Sequence, residues 1–327
     1  MTRLRVGVAG LGHWGPNLAR NFAEIAELAW VCDRDEERVG AFASRYPDAR
    51  ATTRFDELLE DPELDAVVLA TPAITHFELT RASLLADKHV FVEKPLSLSA
   101  TLGDQLVALA EERGLVLMPG HLLLYHPGVV KLKDLIDSDE LGRLLYVYGN
   151  RQNLGQIRRD ENALWSLGAH DLSVILHLVG EEPAEAWARG ESFLTPGVED
   201  VVFCFLRFPS GIVAHMHLSW LDPHKIRQMT VVGDRKMAVF DDMQLERKVT
   251  VYDKGPEQRP DTYGEWLTRT GDTSSPHIPS EEPLRLECGH FLALVRGEGD
   301  RFEAARAGLA VVRALEQLQS SLEREQV

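Results

Sequence analysis

The tripeptide Glu93-Lys94-Pro95 closes the apolar run HVFV and carries the sharpest chemical signal in the chain. A lysine is rarely set at the end of a buried strand without a partner, because burying an ammonium is costly. Proline after it fixes the backbone and favours an extended Lys94. Held in this way, a lysine can orient a substrate hydroxyl, or exchange its proton as a hydride leaves the same carbon. The plainer alternative is a surface lysine in a strand-to-helix loop. His170 is the second candidate, in Trp165-Ser166-Leu167-Gly168-Ala169-His170-Asp171 at the start of an apolar helix. Imidazole titrates near neutrality and can accept a hydroxyl proton, although a histidine at a helix N-terminus can also be satisfied by a backbone partner. Asp171 either orients His170 or caps the helix.

A hydride needs a carrier, and the N-terminus supplies a place for one. Residues 6–15 read VGVAGLGHWG, a short apolar strand running into Gly10-x-Gly12-x-x-Gly15. In a dinucleotide fold the first glycine allows the turn and the second admits a pyrophosphate close to the backbone. The third lets the next helix pack against the sheet. His13 and Trp14 lie inside this loop and are taken as cofactor-contacting with it. The helix from Pro16 would point its positive end at the diphosphate. A second apolar run, LAWVCD, ends in Asp33, 18 residues after Gly15. An acidic residue there is placed to grip the adenine ribose hydroxyls and to repel a 2′-phosphate, so NAD is expected. Adjacent Arg34 keeps NADP open, and a strand-end turn residue is the alternative for Asp33.

The elements that must hold these residues follow the same logic. Residues 35–46, 56–60, 77–87 and 105–114 read as helices, and 64–71, 89–95 and 115–120 as strands. Such alternation predicts a doubly wound parallel sheet. Ligands in such sheets bind beyond the carboxyl ends of the strands, where Thr71, Pro72, Glu93, Lys94, Pro95 and Gly120 fall. Beyond Gly120, strands are expected at 144–155, 184–191, 200–208, 211–221, 227–234 and 236–242, with a hairpin turn at Gly211. Together with helices at 165–180 and toward the C-terminus they suggest an α+β domain with a large, mainly antiparallel sheet. The expected division is 1–119 for the dinucleotide and 120–327 for substrate.

A length of 327 residues suits two domains. A net charge of −16 argues against nucleic acid or an anionic membrane as the main partner. No apolar stretch approaches the length of a membrane span, and the first apolar run goes straight into the glycine loop, unlike a signal peptide. Cys32, Cys204 and Cys288 are scattered, without CxxC or metal-ligand spacing. They read as reduced buried thiols in a cytoplasmic protein, and no metal is expected.

Together, GVAGLGHWG, Asp33, the Ala-Thr-Pro segment ending at Pro72 with His76 after it, and EKPLS at 93–97 resemble the Gfo/Idh/MocA oxidoreductase family. The resemblance covers nearly the whole chain. It implies that Lys94 contacts nicotinamide and substrate, that His76 belongs to the cofactor site, and that the second domain binds substrate. It also implies a homo-oligomer, dimer or tetramer, through an open sheet face. Many relatives have a carboxylate four residues before the histidine, where this chain has Ser166; serine can hydrogen-bond but carries no charge. The polar segment 150–162 offers Arg158 and Arg159 to a phosphate and Asn153 and Asn162 to sugar hydroxyls, or is a solvated loop. Its RxNLGxxRxDxN pattern, the following WxLxxHD, and HIPSEEPLRLECGHFL (277–292) resemble the branch acting on nucleotide-linked amino sugars. Glu287 and His290 would then face the cleft, with Tyr125 and His126 as further rim candidates. The expected substrate is a sugar or nucleotide sugar oxidised at a secondary alcohol, the leading reading being C3 of a nucleotide-linked sugar and the alternative a free polyol, inositol or aldose. An NAD-binding sensor without catalysis is the reading from another class.

Overall fold

The computed structural model describes residues 3–155, 157–159, 161–258 and 265–324; Gln156 and Asp160 of the amide-rich segment lie outside them. The chain forms two compact units. One comprises Met1–Leu122 and Glu282–Arg313, the other Leu123–Glu281 and Ala314–Val327. The first break thus falls close to the expected 119/120, but a single cut does not divide the chain, because residues 282–313 return to the first unit.

The first unit holds a six-stranded parallel sheet of β1 (Arg5–Ala9), β2 (Glu27–Cys32), β3 (Arg50–Thr52), β4 (Ala66–Leu69), β5 (His89–Glu93) and β6 (Leu117–Gly120), in the order β3-β2-β1-β4-β5-β6. Its helices are α1 (Gly15–Ile25), α2 (Glu36–Arg45), α3 (Asp56–Leu59), α4 (His76–Leu85) and α5 (Ala100–Arg113). All four residues of β4 and the middle of β5 are buried, as expected for strands covered on both faces. The direction of winding reverses between β1 and β4, which opens a crevice at the carboxyl ends of those strands.

The second unit begins with a short turn and α6 (Pro127–Asp137). It contains an eight-stranded sheet of β7 (Leu144–Gln152), β8 (Glu185–Glu191), β9 (Val201–Arg207), β10 (Val213–Ser219), β11 (Ile226–Gly233), β12 (Met237–Asp241), β13 (Val249–Gln258) and β14 (Trp266–Ser274), with α7 (Ala169–Val179) between β7 and β8. The order is β14-β13-β12-β11-β7-β10-β9-β8; β7 and β10 run parallel and the other neighbours antiparallel. Along β9 and β10 every second side chain is buried, including Val202, Cys204, Leu206, Ala214, Met216 and Leu218. That leaves one covered and one open face. β13 and β14 were not foreseen from sequence.

The chain then makes α8 (Pro283–Val295) and α9 (Glu303–Arg324), and the boundary between units falls within α9 after Arg313. α8 belongs with the first unit because Phe291 joins Phe22 of α1 and Phe91 of β5 in a buried edge-to-face cluster, with ring centroids 5.7–6.1 Å apart. Arg20–Glu282 and Arg285–Glu24 ion pairs add to the α1–α8 contact. All three cysteines are buried free thiols. No helix among the described residues is long and apolar enough to cross a membrane.

Candidate active site

Strand register brings the candidate residues of the first unit to one edge. Ala9 pairs with Cys32 and with Leu69, Leu69 with Val92, and Glu93 with Gly120. The residues that follow, Gly10, Asp33, Thr71, Lys94 and His121, therefore leave the sheet at the same carboxyl rim.

The glycine loop is built for two different reasons. At Gly10, where φ is +93°, a β-carbon would stand 2.5 Å from the Ala70 backbone; at Gly15 it would stand 1.9 Å from the Gly10 carbonyl oxygen. These two glycines let β1, β4 and α1 approach each other. Gly12 differs, because its nearest neighbour would be the flexible tip of Arg38 at 3.4 Å. Apart from that flexible tip nothing lies within 4 Å on this side, which leaves the room that a pyrophosphate requires. The first turn of α1 has Trp14 at the N-cap, no side-chain cap and Pro16, which has no N–H, just inside; the Asn17 amide donates to the Trp14 carbonyl at 3.0 Å, and the positive end of the helix lies at the glycine loop.

Asp33 accepts from the Leu11 amide at 2.6 Å through one oxygen and from the Asp35 amide at 3.0 Å through the other. It thus pins the glycine loop, as the turn reading required, and its partly exposed carboxylate keeps lone pairs for ribose hydroxyls. Arg34 is exposed. The arginine that reaches Asp33 is Arg38, one turn into α2, at 3.7 Å, with its Nε 3.2 Å from Asp35. Sequence reading missed it; its position five residues after the strand-end acid was the available signal.

His76 ties the rim together. It is buried, with Nδ1 2.7 Å from the Pro95 carbonyl and Nε2 2.9 Å from the Thr71 carbonyl. Its role is to hold the Thr71-Pro72 loop against Pro95, and burial lowers its pKa. The Lys94–Pro95 peptide is cis. Glu93 receives a hydrogen bond from the Trp14 side chain, which links the glycine loop to β5. Burial pushes its carboxyl up to about 7, against the opposing pull of Lys94. His121, unforeseen as a site residue, is buried with neither ring nitrogen hydrogen-bonded among the described residues. Burial first, then the Lys94 charge, holds it down to about 4.

In the second unit, Leu164–Gly168 forms a π-helical turn running directly into α7, so Ser166 and His170 sit at a widened helix start, a frequent device at functional sites. Both are partly exposed. Asp171 does not cap the helix, whose N-cap is Gly168. It is buried in α7 and accepts from Nε and Nη2 of Arg151 on β7, at 2.8 and 2.7 Å. That pair fastens the start of α7, and with it His170, to the sheet. Asn162 is not placed to read sugar hydroxyls: it is buried, donating to Glu199 and Gln319 and accepting from the Trp165 amide. Arg158 pairs with Glu161 at 2.7 Å, whereas Arg159 is exposed and Asn153 partly so. Tyr125 ends the turn before α6 and is partly exposed. His126 caps α6, accepting from the Gly128 amide, and lies 3.4 Å from Asp242. Toward the C-terminus, His290 is exposed on α8, while Glu287 does not face solvent at all but is wholly buried within the first unit.

The family profile described as oxidoreductase family, NAD-binding Rossmann fold, matches residues 4–121, and the GFO/IDH/MocA C-terminal domain profile matches 129–239. UDP-N-acetylglucosamine 3-dehydrogenase of Acidithiobacillus ferrooxidans is 31% identical over 256 residues, 78% of this chain and 79% of its own. Its solved structure superposes with a TM-score of 0.85 over 99% of both chains, at 28% identity. The structure of GenD2 from gentamicin A biosynthesis in complex with NAD gives 0.83 at 27% identity, over 99% of this chain and 95% of its own. Myo-inositol 2-dehydrogenase of Thermotoga maritima is 28% identical, covering 77% and 79%. With one profile matched within the first unit and the other within the second, this chain belongs to the Gfo/Idh/MocA family of NAD-binding oxidoreductases.

Proposed function

We propose that the protein transfers hydride between a secondary alcohol of a nucleotide-linked sugar, at C3, and NAD. The observation that carries this reading is the 31% identity to a UDP-N-acetylglucosamine 3-dehydrogenase, joined to the rim of Gly12, Asp33 and Lys94 in the first unit. Nicotinamide supplies the hydride acceptor or donor when bound. The open side of Gly12 and the positive end of α1 take the diphosphate, and Asp33 takes the ribose hydroxyls. His13 and Arg34, both exposed, flank that cradle. Lys94, held between Glu93 and Pro95, exchanges the hydroxyl proton. His170, steadied through Asp171 and Arg151, is the second proton-handling group, with Ser166 as an uncharged hydrogen-bond partner for substrate. Arg158 and Arg159 serve the nucleotide phosphates, Arg158 by leaving Glu161. A free inositol or polyol is the second reading, supported by the 28% identity to an inositol dehydrogenase and by the Glu161 partner that already occupies Arg158.

Calorimetry on NAD-loaded protein separates the two. UDP-N-acetylglucosamine is expected to bind at micromolar strength, about −8 kcal/mol, with UDP alone retaining part of it. Binding of myo-inositol with no response to either UDP compound would replace the first reading by the second.

The open face of the second sheet carries an aromatic field. Trp187 stacks on Phe205, Phe203 on His217, and Tyr148 on Tyr146 and His215, while Trp187 and Phe203 are 48% and 52% exposed. An apolar field of this kind marks an interface, and we assign it to a second copy of the chain. Trp187→Glu with Phe203→Glu is expected to halve the mass seen by light scattering. An unchanged mass would place any self-association elsewhere.

A further inference from the structure

β5 and β6 run parallel, Val92 pairing with Pro119 and Glu93 with Gly120. Lys94 and His121 are the next residues on these neighbouring strands and leave the sheet side by side at the carboxyl rim. The His121 amide donates to the Pro119 carbonyl at 3.0 Å, so the chain turns there and keeps His121 at the rim. His121 is only 4% exposed, and neither Nδ1 nor Nε2 has a hydrogen-bond partner among the described residues. His76, the other buried histidine of this rim, differs: both its nitrogens are engaged, by the Pro95 and Thr71 carbonyls. A buried imidazole with two unpaired nitrogens costs stability that no contact within the unit offsets. Such a residue at a ligand-binding rim is accounted for by a partner that arrives with the ligand.

The chemistry of that partner follows from the charge state. Burial, then the Lys94 ammonium, holds His121 down to about 4, so it is neutral at physiological pH. A neutral imidazole presents one N–H donor and one bare acceptor nitrogen. That pair suits neither a phosphate nor a carboxylate, which only accept, but it does suit a primary amide, which both donates and accepts. Nicotinamide carries one such amide on the ring that exchanges hydride. We propose that His121 binds the cofactor directly, its uncharged imidazole hydrogen-bonding the nicotinamide carboxamide and fixing which way the ring turns beside Lys94. The proposal rests on reading Lys94 as the residue at the reacting end of the cofactor.

The test is calorimetric titration of the full-length protein with NAD and with ADP-ribose, which keeps the adenosine, diphosphate and second ribose but has no nicotinamide. His121→Leu, which has similar bulk and no nitrogens, is expected to weaken NAD about tenfold and to leave ADP-ribose within about twofold. His121→Asn and His121→Gln carry a donor and an acceptor on an uncharged amide, and at least one should return NAD to within about threefold of wild type. Unchanged NAD affinity in His121→Leu, or an equal loss for both ligands, overturns the proposal and makes His121 a residue of the core. Circular dichroism reports whether each variant is folded. If the leucine variant is not, the acetylpyridine analogue of NAD, with a methyl in place of the amide nitrogen, makes the comparison on the unaltered protein: weaker binding than NAD is expected, and equal binding overturns the proposal. A wrong hydride or substrate assignment shows in turnover, whereas these titrations contain no sugar, so the two failures are read apart.

Discussion

Lys94→Ala is expected to lower kcat by about 10²–10⁴-fold while NAD affinity changes by less than about tenfold. The asymmetry follows from the division of labour at the rim. In the proposed arrangement the glycine-loop backbone, the start of α1 and Asp33 take the dinucleotide, and none of these needs the lysine side chain. Lys94 is instead assigned the proton of the alcohol, a contribution made as the hydride moves. Lys94→Arg should not restore turnover, because a guanidinium does not release its proton near neutral pH. Stopped-flow measurement of the first NADH formed, beside NAD titration by tryptophan quenching, separates the two effects. Equal losses in binding and turnover would make Lys94 a cofactor-holding residue only.

Arg151→Met is expected to destabilise the second unit by about 3–5 kcal/mol, because it leaves the Asp171 carboxylate buried without its partner. Both guanidinium contacts converge on a single oxygen of Asp171, and the two residues are only 9% and 3% exposed. A loss of that size corresponds to a melting shift of about 6–20 °C for a unit of this length. Arg151→Met combined with Asp171→Leu should recover much of it, since the charge is then removed along with its partner. Turnover should stay low in the double variant, because His170 is the residue next to Asp171 and loses its anchor to β7. Calorimetric scans of the single and double variants decide the matter; additive losses would mean that the pair is not coupled.

What could be read from sequence was what local pattern encodes. Gly10, Gly12 and Gly15 stand between a strand and a helix at a spacing that has steric content: Gly10 turns at positive φ against Ala70, and Gly15 lets α1 close on Gly10. The position of Lys94 at the rim was legible as the residue after a buried strand, whereas His76 came only with the family resemblance. Long-range consequences were not legible. Nothing local says that α8 returns to the first unit; that follows from Phe291 finding Phe22 and Phe91. Glu287 drew notice as a cleft residue but is buried beneath β5 by that same packing. Asp171 reads as a helix cap or as the group that orients His170 until Arg151, twenty residues earlier on β7, is seen to bind it. β13 and β14 escaped because VTVYDKGPEQ and WLTRTGDTS break the alternation, the first with Gly255 and Pro256 in the stretch of β13 that pairs with β14 alone, beyond its pairing with β12. β3, with three residues, is too short for any periodicity. Arg38 and His121 lay just beyond the motifs that were read.

The most direct test of the account is transfer of deuterium from UDP-N-acetylglucosamine labelled at C3 to NAD, followed by mass spectrometry of the NADH formed. The account predicts one deuterium per NADH and none when the label is placed at C4 of the sugar. NADH carrying deuterium from C4, or NADH formed only from a free polyol, would contradict it.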